Sequence, residues 1–446
     1  MDSLQRTASG TASQAEPESI AAPDTSLAAP GIRIRSVLRR YYAVWAIYSF
    51  GGGFLYGVYP LFLRSRGLDQ FQMNSVLALY FFVTFLTDVP TGAFADALGR
   101  RNSFVLGCSA RFAGFLLYFF AHHYAIFLIA ESIDGIGTTF CNGAIDAWGV
   151  DALDAGGYSS QKDRLFSRLS QLSNFGFMLS ALIGAYVANV NIAWPWLLGA
   201  GGYCIAGLAG LILMHERRIG TTLIIWRSIP ATLAGRIAAG LRQGWNNRTV
   251  MLLSLANGLF FAAWAPYWLE WPQYFNDAYH TGIWIVGWFF CLFTIARMLG
   301  AEFVVRSLDT SAEARTDTAR PIRTAIIAIV LSLLLFAAGV ASNHPRIVIV
   351  ALCGLNVCFG AVMPIMQTWF NEQIGAGERA TLLSFNSTFS TIGGAMGLLL
   401  GGAMADYAGL GAAWMLSGAI SLTAALCFWS LRHEIMGTPA HATHSI

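Results

Sequence analysis

Charge is what this 446-residue chain has least of: Asp, Glu, Lys and Arg together make up 11% of it, while 56% is hydrophobic. A soluble domain carries roughly 25% charged residues, so a water-facing surface over most of this chain is excluded. Lysine is almost missing, Lys162 being the single one. With no G-x-x-x-x-G-K-[ST] run either, there is no phosphate-cradling loop and hence no intrinsic ATP drive. No H-E-x-x-H pair and no nucleophile, base and orienter set occur, so no enzyme activity is expected. His122 and His123 are adjacent, so they would face different sides of a helix, and they suit a short outer loop better than a metal. The cysteines (Cys108, Cys141, Cys204, Cys291, Cys353, Cys358 and Cys427) all fall inside apolar runs, where packing is their ordinary role. No cofactor, metal or nucleic-acid partner is expected. Residues 1–30 lack an apolar core, which excludes a cleavable signal peptide and predicts a disordered cytoplasmic tail.

Long apolar runs fill the rest. Crossing the ~30 Å hydrocarbon core takes about 20 mostly apolar residues. Windows of that kind fall at 41–63, 72–93, 103–120, 124–147, 165–188 and 193–214, then at 249–271, 281–300, 323–341, 347–370, 381–404 and 409–431. They do not alternate as barrel strands would. The fold class is therefore all-α integral membrane, with twelve transmembrane helices in two pseudo-symmetric six-helix bundles. The expected division is a tail (1–30), an N-terminal bundle (31–214), a cytoplasmic linker (215–248), a C-terminal bundle (249–432) and a tail (433–446). Placing both termini in the cytoplasm puts 22 of the 27 Lys and Arg inside, three outside (Arg64, Arg66, Arg346) and two within spans (Arg111, Arg297). The reverse orientation violates the positive-inside rule. The linker carries Arg217, Arg218, Arg227, Arg236, Arg242 and Arg248 and is expected to lie on anionic headgroups of a cell (inner) membrane.

The two sixes echo each other. Phe54-x5-Pro60-x-Phe62-Leu63 in span 1 matches Phe260-x5-Pro266-x-Trp268-Leu269 in span 7. Asp146-Ala-Trp148-x-x-Asp151 ending span 4 matches Gln367-Thr-Trp369-x-x-Glu372 ending span 10, and the pairs Asp163-Arg164 and Glu378-Arg379 precede spans 5 and 11. Such a duplicated unit builds carriers with a site near the bilayer midplane.

The most informative short stretch runs Asp88-Val-Pro-Thr-Gly92-Ala-Phe-Ala-Asp96-Ala-Leu-Gly99-Arg100-Arg101 between spans 2 and 3. Its Gly92-x-x-x-Asp96-x-x-Gly99-Arg100-Arg101 core resembles the loop signature of the major facilitator superfamily, a resemblance covering roughly residues 40–432. The resemblance implies secondary transport by alternating access, with spans 1, 4, 7 and 10 lining the cavity. It implies that Asp96 latches the start of span 11, around Arg379 to Thr381, in the outward-facing state. Asp88, Asp146, Asp151, Arg164, Glu378 and Arg379 are the further gate candidates. A loop whose charges only fix topology is the alternative.

In span 4, Glu131, Asp134, Thr138, Asn142 and Asp146 fall within a 120° sector at 100° per residue, forming one polar stripe. Intramembrane charge costs about 2.5–3.5 kcal/mol per residue on insertion scales, so each needs a partner or a purpose. Arg111 in span 3 suits Asp134 by depth, leaving Glu131 freer to exchange a proton. Glu131 also stands where a common family pattern has an arginine, four residues before Gly135-Ile-Gly137. The three charges are candidates either for proton coupling and substrate contact or for a structural ion network.

Aromatic and amide faces complete the expected cavity: Tyr48, Gly52, Tyr56 and Tyr59 in span 1; Asn257, Phe261, Trp264 and Trp268 in span 7; Asn356, Gly360, Met363 and Gln367 in span 10. Of these, Tyr48, Asn257, Phe261, Trp264, Met363 and Gln367, with Asn142 of span 4, are the substrate-binding candidates. These faces read as short of cations, which favours a lipophilic or cationic solute held by cation–π contact, against simple packing as the alternative. The Gly-Pro pair of antiporter-type span 5 is absent, while the Asp-Val-Pro-Thr-Gly form of the loop resembles prokaryotic exporters. The expectation is a monomeric, proton-coupled exporter of a small molecule, with uptake of a neutral solute or a non-transporting sensor as alternatives.

Overall fold

The computed structural model describes residues 30–154, 162–215, 242, 247–280, 282–310, 319–374 and 379–431. The expected tails, most of the linker and Glu378 lie outside the described residues. The first bundle comprises α1 (Pro30–Gly53), α2 (Tyr59–Ser65), α3 (Gln70–Leu98), α4 (Arg100–Phe120), α5 (Tyr124–Asp154), α6 (Lys162–Val190) and α7 (Trp194–Leu213). The second comprises α8 (Arg248–Tyr279), α9 (Trp284–Thr310), α10 (Ala319–Val340), α11 (Pro345–Glu372), α12 (Arg379–Ala408) and α13 (Leu410–Ser430). Eleven of these are long and apolar enough to cross a membrane, and the broken pair α1 and α2 supplies the twelfth crossing. Large apolar side chains such as Phe82, Phe120, Ile212, Phe303 and Val350 face outward, as a lipid-facing surface requires. Each bundle has its own core, around Phe104, Tyr118 and Trp196 in the first and around Phe260, Trp369 and Trp414 in the second.

Span 1 departs from the expected single helix. It breaks at residues 54–58, where Gly57 takes φ +83°, and restarts with Pro60 in the first turn of α2. Proline fits a first turn because its missing N–H is unsatisfied there anyway. The matching Pro266 lies inside the unbroken α8. The difference traces to Gly57, whose counterpart in the repeat is Ala263: only glycine enters the left-handed region without steric cost.

The loop between spans 2 and 3 is also shorter than expected. Helix α3 runs to Leu98 and α4 starts at Arg100, leaving Gly99 alone, at φ +98°, to make the turn. Between the bundles, α3 packs on α12 and α6 on α9. Within the second bundle α12 approaches α8 so closely that a Cβ at Gly393 would fall on the Gly258 carbonyl, and one at Gly397 on the Ala262 carbonyl.

Candidate functional site

A cavity of about 320 Å³ lies between the bundles at mid-depth, with Tyr56, Tyr80, Arg111, Glu131, Asp134 and Trp268 among its walls. Its charged face is built by the contact of α4 with α5, which small residues make possible. A Cβ at Gly107 would stand 2.7 Å from the Gly137 carbonyl oxygen, and one at Gly137 would stand 2.6 Å from Arg111 Cγ. At that separation Arg111 forks onto Asp134, with Nε to Oδ1 at 2.8 Å and Nη2 to Oδ2 at 3.2 Å. Its third nitrogen donates to the Tyr48 hydroxyl at 2.9 Å, and the guanidinium lies 4.1 Å from the Tyr203 ring centroid. The expected contact of Arg111 with Asp134 is therefore made, and Tyr48 serves it as a prop: among the described residues it does not line the cavity.

Glu131 is handled differently. It is 5% exposed and accepts a hydrogen bond from the Tyr118 hydroxyl, which lies 3.1 Å from that of Tyr59. Tyr118 is fixed by stacking on Trp196, centroids 3.9 Å apart and planes 6° apart. Among the described residues no arginine comes within ion-pair distance of Glu131. A carboxyl so placed can carry a proton or accept a cationic group, whereas Asp134 is committed to Arg111.

The lower stripe leans on α1. Tyr48 donates to Asn142 at 3.3 Å, and Tyr41 and Trp45 both donate to Asp146 Oδ1, at 3.0 and 3.2 Å. Asn142 is exposed although it lies in the middle of a transmembrane helix.

A second cavity of about 310 Å³ opens inside the second bundle among α8, α11 and α12, and there Asn257, Phe261, Met363 and Gln367 meet. Asn257 donates to Ser390 Oγ at 2.6 Å and to Asn386 Oδ1 at 3.2 Å. Four of the seven expected substrate-binding residues thus share this second space and none lines the central cavity, whose walls take Gly52, Tyr56, Tyr59 and Trp268 of the expected faces instead. Trp264 borders neither among the described residues, stacking instead on Phe359 at 3.8 Å.

The aromatic faces prove not to be short of cations. Arg297 of α9 lies 5.2, 5.6 and 5.9 Å from the ring centroids of Trp268, Phe359 and Trp264. The close packing of α9 on α11 brings it there, since Gly360 has no Cβ to strike the Arg297 carbonyl. An arginine inside an apolar span was the available signal; which face it occupies depends on the packing.

Among the gate candidates, Asp96 pairs with Arg100 at 2.6 Å one turn away, and Arg100 Nε lies 3.9 Å from Asp151, all within the first bundle. Asp88 and Gly92 lie in the C-terminal half of α3, and Arg101 in the first turn of α4. The side chains of Arg164 and Arg379 lie outside the described residues. The bundles are tied at the ends that the expected orientation places outside. Arg64 of α2 meets Asp277 of α8 at 2.5 Å; Asp406 of α12 accepts from the Gln70 and Phe71 N–H groups at 3.0 and 2.8 Å. Deeper in this seam Gln273 donates to Gln70 at 3.0 Å and Asn74 to the Leu398 carbonyl at 2.8 Å; between α6 and α9, Asn189 accepts from Ile283 N–H at 3.0 Å.

Comparison with known proteins fits this arrangement. The chain is 21% identical over 370 residues to the quinolone resistance protein NorA of Staphylococcus aureus, covering 82% of this chain and 89% of that one. It is 24% identical over 351 residues to the multidrug resistance protein MdtH of Aeromonas hydrophila, covering 77% and 82%. Among solved structures, a point mutant of the nucleoside transporter NupG superposes with a TM-score of 0.72 at 12% identity, covering 89% of this chain and 99% of that one. A point mutant of the peptide transporter POT in complex with sulfate gives 0.70 at 13%, covering 92% and 99%. The family model described as Major Facilitator Superfamily matches residues 42–312 and 253–443. This multi-pass membrane protein, a transporter and not an enzyme, belongs to the major facilitator superfamily.

Proposed function

We propose that the chain is a proton-coupled exporter of a lipophilic small molecule carrying a cationic group, working by alternating access, with both termini in the cytoplasm, and that the present conformation is its inward-open one. The observation that carries this reading is Glu131: a buried carboxyl in the wall of the central cavity, held by hydroxyls and free of any ion pair among the described residues. Tyr56, Tyr80 and Trp268 supply aromatic surface for the body of a solute in the same cavity. The sealed outer seam and the exposed Asn142 support the inward-open assignment. Two relatives named for drug resistance support export. In the outward-open state Asp96 would leave Arg100 and turn to the start of α12, closing the inner end.

The test is flux in proteoliposomes containing only this protein, under an imposed pH gradient, with a panel of organic cations, neutral solutes and anions. Glu131→Gln should abolish proton-driven movement of a cation while leaving exchange or binding measurable. An unchanged pH dependence in that variant removes Glu131 from coupling. Binding without flux under either gradient refutes transport and favours a sensor.

A further inference from the structure

The charges at mid-depth are unequally provided for. Arg111 has Asp134 and Tyr48, and Glu131 has Tyr118. Arg297 has no carboxylate within ion-pair distance among the described residues. Its Nε has no acceptor, and Nη2 makes only a long 3.4 Å contact with Asn356 Oδ1. Three aromatic rings surround the guanidinium, and they satisfy a cation's charge without occupying its N–H groups. Asn356 is locked, its amide N–H groups going to Tyr267 Oη at 2.9 Å and the Leu352 carbonyl at 2.8 Å, so its oxygen is turned to the arginine. Arg297 as a residue retains partial exposure, although its Nε is buried and it is not among the residues that wall either cavity; Trp268, the nearest of its rings, walls the central one.

A planar donor fork with a buried, unpartnered Nε, inside a membrane, suits a planar oxyanion that reaches it. We propose that Arg297 is an anion subsite and that the carried solute is amphoteric, an aromatic body with a carboxylate directed to Arg297 and a cationic group directed to Glu131. This rests on the export reading above and narrows its substrate class. Trp268 and Tyr56, whose rings lie 5.7 Å apart, border the space between the two ends. Asn356 is a positioning residue for the fork.

The experiment uses the full chain with two probes: a coumarin bearing an aminomethyl group and a carboxylate, and the methyl ester of the same compound. Equilibrium dialysis should show the carboxylate bound about ten-fold or more tightly than the ester, the size of effect a charge-assisted bidentate contact gives. Arg297→Gln should remove that preference, weakening binding of the carboxylate about ten-fold more than binding of the ester. Arg297→Lys, which keeps the charge and loses the fork, should retain part of the preference and serves if the glutamine variant does not fold. Equal binding of both probes by the wild type, or an equal loss of both in either variant, overturns the anion subsite. Proteoliposome flux separates the two readings: transport of the ester with no carboxylate preference refutes the subsite alone. Neither binding nor flux of either probe overturns the export reading with it.

Discussion

Replacing Asp406 by Ala should loosen the outer seal by a calculable amount. Helix α3 begins with N–H groups that have no partner within the helix. Asp69 caps Gln72 N–H at 2.7 Å in a capping box, while Gln70 and Phe71 N–H are taken by Asp406 from the other bundle. Losing a cap of this kind costs about 1 kcal/mol, and not more, because Asp406 is exposed and water can replace part of what it supplies. Only the outer-closed state has this contact, so the equilibrium should move about five-fold toward outer opening. The assay is labelling of a Gln273→Cys reporter, in a background without the native cysteines, by a membrane-impermeant maleimide added outside intact cells. Gln273 is 3% exposed in the closed seam, so its labelling rate follows opening. Asp406→Ala should raise that rate about five-fold. An unchanged rate would mean that the capping contact does not bias the gate, and a slower one would reverse its sign.

Two further outcomes are expected. Arg111→Gln or Asp134→Asn alone strands a buried charge and should cost about 3–5 kcal/mol, whereas the double variant should cost clearly less; a thermal-unfolding cycle in detergent checks this, and additive losses would refute the pairing. Gly57→Ala should lower the unfolding temperature, because the position has φ +83° and a Cβ would come within 2.7 Å of Val286 Cγ1; wild-type stability would show that the break in span 1 can be made without glycine.

Much of this architecture is legible because a bilayer enforces its rules at every span. The scarcity of charge and the length of each apolar run are direct consequences of the solvent, and so the twelve crossings can be read. The polar stripe of α5 follows from helical spacing, and the contact of Arg111 with Asp134 from depth. What escapes depends on the identity of a neighbour. Nothing around Glu131 in the sequence indicates that Tyr118, thirteen residues earlier on another helix, presents its hydroxyl. Arg297 reads as intramembrane, yet its place over Trp268 follows from Gly360 admitting α9 close to α11. The break at Gly57 is hidden by the repeat itself, since the proline is shared and the glycine is not.

The seam seen here and the proposed inner gate belong to one antiparallel pair, α3 and α12. The outer end of α3 carries Gln70, Phe71 and Asn74, bound to the outer part of α12 through Asp406 and the Leu398 carbonyl. Its inner end carries Asp96 and the Gly99 turn, on the side where α12 starts at Arg379. A 29-residue helix is ~44 Å long, so a pivot near its middle leaves arms of about 20 Å. Rotation of one bundle against the other by about 15°, the size of known rigid-body transitions, would move each end by about 5 Å, beyond hydrogen-bond reach. One tilt therefore breaks the outer bonds as it brings the inner ends together. Gly402, packed where a Cβ would stand 3.0 Å from Phe71 Cα, permits the closed outer position. At the other end the pair of Asp96 with Arg100 lies within a single bundle, so it can be exchanged for a partner on α12 without leaving either charge unsolvated. In the proposed mechanism the low cost of that exchange would let both states be populated, and the choice between them would fall to what occupies Glu131 and the space beside it.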